Sequence, residues 1–125
     1  MSYYLFMTAA AICFLSVAVH GIWGRRIYLD LIADTNLPAR EKSISAVSWD
    51  VFSVMLLVSG LSLVFVAITP QAIWMAYPII AMHLLGAGVF IRLMMKGHKE
   101  LAALPGAYLL VAIGLFSLCA VELGS

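Results

Sequence analysis

The stretch from Val47 to Ile68 reads VSWDVFSVMLLVSGLSLVFVAI. Its one charged residue, Asp50, stands near the beginning, and residues 51–68 carry no charge. Crossing a ~30 Å hydrocarbon core takes about 20 predominantly apolar residues in a helix. Lipid offers no hydrogen bonds, so the backbone must satisfy itself within the segment, which makes the segment a helix. The run is continuously apolar rather than alternating, which excludes a strand of a transmembrane barrel.

Working outward, three further runs of this kind span residues 3–23, 73–95 and 104–123. Together with 47–68 they predict an all-α fold: an integral membrane four-helix bundle forming a single transmembrane domain over residues 1–125. Composition agrees. Hydrophobic residues make up 65% of the 125 and charged residues only 10%, with a mean hydropathy of +1.10. A water-soluble domain carries roughly 25% charged residues. The net charge of +1 gives no reason to expect nucleic acid as a partner. Cys13 and Cys119 sit in apolar runs without the spacing of a disulfide framework or a zinc site. The first run has no basic segment before it and no small-residue cleavage site after it, so it reads as a retained anchor.

All seven basic residues fall in two short segments, one between runs one and two (Arg25, Arg26, Arg40, Lys42) and one at the end of run three and just after it (Arg92, Lys96, Lys99). The positive-inside rule then places both basic loops in the cytoplasm and both termini outside. Tyr3, Tyr4, Trp74 and Tyr77 are expected at the outer interface, and Trp23, Tyr28 and Trp49 at the inner one. Local signals set the ends. Thr69-Pro70 reads as an N-cap with proline at the first helical position. Pro78 either kinks the third helix or marks its start after a short interfacial segment. Gly97-His98 reads as a stop and Pro105-Gly106 as a restart or a bend near the start of helix four. The loop 25–46 is expected to be partly helical, with Arg25 to Ala33 an amphipathic extension at the interface and Arg40-Glu41-Lys42 opening an extension of helix two.

Helices in lipid associate through small residues, which let backbones approach, and through polar side chains. The expected packing stripes are Ala9, Cys13, Ser16, His20 and Gly24 on helix one, and Ala46, Asp50, Ser53, Leu57 and Gly60 on helix two. On helix three they are Ile79, His83, Gly86, Ala87 and Phe90, and on helix four Ala103, Gly106, Ala107, Gly114 and Ser117. The four stripes are expected to converge in one compact bundle.

The candidate chemistry lies in two places. His20, Arg25, Arg26 and Asp50 form an inner-end polar cluster. A carboxylate inside a bilayer costs ~2.5–3.5 kcal/mol on insertion scales, less near the interface, so Asp50 is expected to face inward and to find a partner among His20, Arg25 and Arg26. The cluster reads either as a clamp fastening helix one to helix two or as a proton relay, metal ligand pair or anion pocket. His83 is the one ionisable residue near the middle of the membrane. It reads as an interhelical hydrogen bond to Ser16, Ser53, Ser59 or Ser117, as a ligand for haem or another tetrapyrrole, with Gly86 and Ala87 making room for a ring, or as a proton-handling group. His20 is offset from His83 by roughly 6 Å along the membrane normal at ~1.5 Å per residue, a poor match for a bis-histidine pair. His98 and Glu100, beside Lys96 and Lys99, read as a solvated face. No nucleophile–base arrangement, phosphate loop or intramembrane carboxylate pair is visible, and the last absence argues against a carboxylate-driven multidrug exporter.

The segment His20-Gly-Ile-Trp-Gly-Arg-Arg-Ile27, followed by Leu31-Ile32-Ala33-Asp34, Leu37-Pro38, Lys42 and Trp49, resembles a family of small uncharacterised bacterial four-helix integral membrane proteins. Their pattern has a His at the end of helix one, a Gly-Arg turn, a Leu-Pro and a Trp opening helix two. The match covers residues 20–50, about a quarter of the chain. Asp30 stands where the family pattern has Pro, and Asp50 where it has a second His. The resemblance implies the four-helix architecture, a site near His20 and Asp50, and the inner membrane of a bacterium.

The functional expectation is a non-catalytic accessory or structural subunit, partnered by the lipid bilayer and by other membrane subunits or a second copy of itself. Two alternatives stand beside it: a haem, tetrapyrrole or metal-binding protein using His83 or His20, and a small oligomeric transporter gated at His20, Asp50 and Arg25.

Overall fold

A computed structural model describes residues 1–124. They form α1 (Ser2–Ser16), a π-helical segment (Val17–Gly24), α2 (Arg25–Ala33), α3 (Ala39–Ile68), α4 (Ala76–Met95) and α5 (Pro105–Glu122). Short 3-10 turns, Pro70–Met75 and Lys99–Ala103, lead into α4 and α5. Among the described residues there is no strand. Four helical spans are long and apolar enough to cross a membrane: Ser2–Ala33, Ala39–Ile68, Pro70–Met95 and Pro105–Glu122.

The helical extensions expected in the loop 25–46 are present, and each is continuous with the span beside it. The first helix does not stop at Trp23 but winds on, through the π segment, to Ala33. The backbone stays right-handed helical at Val17, Gly24 and Arg25, so no residue there interrupts the coil. Arginine is a good helix former, and the end of an apolar run is no reason for the hydrogen-bond ladder to end. The stop comes at residues 34–38, where Thr35 Oγ1 donates back to the Ile32 carbonyl at 2.6 Å and Pro38 follows. The second span begins at Ala39 rather than Val47. Its 30 residues extend about 45 Å at ~1.5 Å each, well beyond the hydrocarbon core. Lys42 Nζ donates to the Ala33 carbonyl at 2.7 Å, so α3 supplies the cation that closes the end of α2.

The other boundaries follow their local chemistry. Gly97 ends α4 with φ at 111°, His98 N–H bonds the Leu93 carbonyl and Gly97 N–H the Met94 carbonyl, both at 3.2 Å. This paired arrangement needs the left-handed conformation that glycine adopts without steric cost. Thr69 precedes Pro70, but its hydroxyl makes no capping bond. The α-helical winding starts only at Ala76. Pro78 therefore lies in the first turn of α4, where its missing N–H breaks no intrahelical bond.

Packing is sequential around the bundle. Helix α1 lies between α3 and α5, and α4 lies against α5, while α3 and α4 meet chiefly through the turn that joins them. A common core still draws on all four spans: Phe6, Ala9 and Cys13, then Leu56, Leu63 and Val66, then Ala76, Ile79 and Ile80, then Ile113, Ala120 and Val121. The expected stripe on α1 holds as far as Ser16, and Ala107, Gly114 and Ser117 hold on α5. Two members do not. Leu57 is exposed while Leu56 is 3% exposed, and Ala103 is exposed in the 3-10 turn. Neighbouring residues on a helix point about 100° apart, so one step along α3 turns the buried row into the lipid-facing one. At the terminal end, Ser2 Oγ donates to the Ala120 carbonyl at 2.7 Å and ties α1 to α5.

Candidate functional site

The opposite end of the bundle holds the site. The π segment Val17–Gly24 carries His20 and two glycines. A Cβ on Gly21 would lie 3.1 Å from Ser53 Oγ, and one on Gly24 would lie 3.2 Å from Trp49 Cζ2. Without side chains there, α3 comes close enough for Trp49 to lie on helix one. The Trp49 ring stacks on His20, with centroids 4.0 Å apart and planes 8° apart, and on Tyr28 at 4.4 Å and 16°. Phe52, one turn further along α3, meets His20 edge-on at 4.9 Å.

Trp49 Nε1–H donates to the His20 carbonyl at 2.9 Å. The same carbonyl accepts the Arg25 N–H. That five-residue step is the bond that makes this stretch a π-helix, a winding found mostly in short pieces and frequently at functional sites. The tryptophan thus fixes both faces of His20, its ring by stacking and its backbone by a hydrogen bond.

Asp50 takes Arg25 as its partner. Arg25 Nε donates to Oδ1 at 2.6 Å and Nη2 to Oδ2 at 3.1 Å, a two-pronged pair that joins α2 to α3. His20 and Asp50 do not pair; consecutive residues of α3 divide the two partners, Trp49 going to His20 and Asp50 to Arg25. Arg26 is exposed, and among the described residues its side chain makes no hydrogen bond or ion pair. Asp50 is also not turned inward: its side chain is 48% exposed, and that of Arg25 is 44% exposed. Half-exposed ion pairs contribute little. The Asp50→Asn variant is therefore expected to stay folded, with a thermal midpoint in detergent close to that of the parent chain. Loss of the folded protein on this single change would show the pair to be indispensable.

Between the π segment, α2, α3 and the beginning of α5 lies a cavity of about 430 Å³. His20, Trp23 and Tyr28 border it from helix one, Trp49, Phe52 and Leu56 from α3, Phe90 from α4, and Leu109, Leu110 and Ile113 from α5. Gly106 contributes by its size, since a Cβ there would come within 3.2 Å of Phe90. The polar groups at the cavity are few. Ser16 Oγ is spent on the Ile12 carbonyl at 2.7 Å. His20 Nε2 is buried and, among the described residues, has no hydrogen-bond partner.

His83 lies elsewhere. It is 1% exposed, and its Nδ1–H donates to the Ile79 carbonyl of its own helix at 2.8 Å, not to a serine of a neighbouring one. The serines make the same local choice: Ser16, Ser53 and Ser59 each donate to the carbonyl four residues back, the bond a helix places within easiest reach. Ser117 Oγ is buried without a partner among the described residues. His83 borders neither of the two cavities described, the second being a smaller one near Ser2 and Val66. Among the described residues no three His, Cys, Asp or Glu side chains gather as a metal set. His98 Nδ1 lies 3.5 Å from Glu100 Oε1 on the exposed turn.

The sequence pointed to His20 and Asp50 but not to the cavity, whose aromatic lining is scattered over residues 23 to 90. The one local signal was the pair Gly21 and Gly24, small residues on either side of Ile22 and Trp23 in a helix. Comparisons with protein-family models, with curated proteins and with solved structures find no match for this chain.

Proposed function

We propose that this chain is a non-catalytic integral membrane protein that holds a small apolar molecule beside His20 and serves as an accessory subunit of a membrane complex or homo-oligomer. The carrying observation is the cavity of about 430 Å³ bordered by aromatic and aliphatic side chains from all four spans. Small-molecule sites are mostly apolar hollows of ~300–1,000 Å³ with a few placed polar groups, often between the helices of a bundle. The non-catalytic reading is supported by where the polar chemistry goes. Arg25 and Asp50 brace two helices, Trp49 anchors the π segment, and Ser16, Ser53, Ser59 and His83 bond their own backbone. The distribution of Lys and Arg favours an orientation with the cavity end on the cytoplasmic side, and the resemblance carried by residues 20–50 favours the inner membrane of a bacterium.

Native mass spectrometry of the chain released from mild detergent tests this reading. A bound small molecule is expected on the parent chain and its loss on Leu109→Trp, which fills the cavity from a half-buried lining position. Helical circular dichroism should be unchanged between the two. A bare chain in both preparations, or the same bound species on both, would sink the proposal.

A further inference from the structure

We infer that the cavity takes an acyl chain of an anionic bilayer phospholipid, drawn in from the basic end of the bundle with the headgroup left outside. This rests on the ligand-holding reading above and names the class of ligand. Three observations lead to it.

The first is how the polar groups of the lining are used. Ser16 Oγ donates to the Ile12 carbonyl, and Trp49 Nε1–H donates to the His20 carbonyl. His20 Nε2 is buried in a ring held by Trp49 and Phe52, so it offers a ligand no bond. The walls along α3, α4 and α5 include Phe52, Leu56, Phe90, Leu109, Leu110 and Ile113, which carry no polar side-chain atom. A headgroup inside would give up its bonds to water and find none in return. A hydrocarbon chain has none to lose.

The second is shape. The lining runs along helix one from Ser16 to Leu31, about 20 Å at ~1.5 Å per residue, and along α5 from Leu104 to Ile113, about 14 Å. The hollow is therefore long and narrow for its volume of about 430 Å³. Its two ends differ. Ser16, Leu56, Leu110 and Ile113, at one end, are buried. Trp23, Ile27, Leu31 and Leu104, at the other, are exposed. A slot closed at one end and open at the other admits a chain lengthwise and leaves at the mouth whatever the chain is attached to.

The third is the charge at the open end. That end of the bundle holds all seven Lys and Arg residues against five of the six acids, so it is net positive. Arg25 and Lys42 have partners in Asp50 and the Ala33 carbonyl. Among the described residues the side chains of Arg26, Lys96 and Lys99 make no hydrogen bond or ion pair. Basic groups where membrane helices leave a pocket on the cytoplasmic side attract anionic headgroups. Trp23 and Tyr28 border the cavity at this end, and both residue types favour the level of the headgroups. The four spans are apolar enough to lie in a bilayer, whose phospholipids supply acyl chains to the mouth.

The test is native mass spectrometry of the full chain, stripped of lipid in mild detergent and given one defined probe at a time. Palmitoyl-oleoyl phosphatidylglycerol is expected to stay on the parent chain. Leu109→Trp and Val19→Phe each put bulk into the cavity from a half-buried lining position, and each should lower the bound fraction about tenfold. Leu85→Trp, on an exposed position of α4 outside the lining, should leave it unchanged. Phosphatidylcholine with the same chains should bind about threefold to tenfold more weakly, and oleic acid more weakly than phosphatidylglycerol. Four results would overturn the assignment: phosphatidylglycerol retained equally by the parent chain and both filled variants; a loss on Leu85→Trp as large as on the filled variants; phosphatidylcholine held as tightly as phosphatidylglycerol; or oleic acid held as tightly, which makes the ligand a free fatty acid. A solvatochromic naphthalene dye, read by fluorescence, separates the two levels of the proposal. If the dye binds and is lost on Leu109→Trp while phosphatidylglycerol never binds, the cavity holds a compact ligand and only the acyl-chain assignment falls. If neither binds, the ligand-holding function falls with it. Should Leu109→Trp fail to fold, Val19→Phe decides the matter.

Discussion

Gly114→Leu is expected to destabilise the bundle by about 3 kcal/mol, the upper part of the range for overpacking a filled site. Even a methyl group at this position would come 2.5 Å from Leu84 Cδ2, 2.7 Å from Leu84 Cγ and 3.6 Å from the Leu84 backbone nitrogen. The last distance matters most, because it shows the α4 backbone itself lying against Gly114. Gly114 is buried, with Ile113 and Ser117 at 0% exposure beside it. In lipid there is little hydrophobic force between helices, so contact depends on backbones coming close enough for dispersion and polar bonds to act. A leucine here must therefore push α4 off α5 along its length. Alanine should cost less, about 1 kcal/mol, because Leu84 is only partly buried and can turn away. Equilibrium unfolding in mixed micelles measures both. A leucine variant as stable as the parent chain would show that the α4–α5 contact does not depend on this glycine.

Trp49→Ala is expected to cost about 3 kcal/mol, as for other large aromatic truncations, and to abolish ligand retention in the cavity. It removes the stacking partner of both His20 and Tyr28 and leaves the His20 carbonyl with the Arg25 N–H alone. Trp49→Phe separates the contributions. It keeps a ring against His20 but loses the Nε1–H bond, a change of about 1 kcal/mol, together with part of the indole's stacking area. The expected order of stability is parent, then phenylalanine, then alanine. If the phenylalanine variant is as damaged as the alanine one, the single hydrogen bond to the π segment outweighs the stack. If neither differs from the parent, Trp49 is a surface anchor and the imidazole beside it is held by something else.

Much of the fold was legible in short runs of sequence. The apolar run after Asp50 required a helix, Gly97 ended α4, and Pro105 opened α5. These features are local: the conformation follows from what one or two residues permit or forbid. The extensions of the first two spans into the loop 25–46 were legible as well, but not that they run on unbroken from the spans. Arg25 and Arg26 mark where the apolar run stops, yet the helix passes through them to Ala33, because charge sets the depth of a residue in a bilayer and not its backbone conformation. Leu57 was expected in the packed stripe on α3, and Leu56 holds that place. A run in which nearly every residue is apolar carries almost no amphipathic signal, so its rotation about the helix axis is left to the neighbours.

Part of the candidate site was legible too. His20 and Asp50 stood out because ionisable groups are costly at the edge of a bilayer. Their partners were not readable, since Asp50 had three candidates and sequence spacing gives no angle between helices. The structure gave Asp50 to Arg25 and His20 to Trp49. The sequence by itself determined that the chain folds as helices long and apolar enough to cross a membrane, since backbone groups in lipid have no other partners. Only the tertiary structure decided which residues meet, because the π segment turns His20 toward α3 and glycines 21 and 24 let Trp49 reach it across a separation of 29 residues. The cavity exists for the same reason: its walls come from all four spans, and only their packing brings those residues to one place.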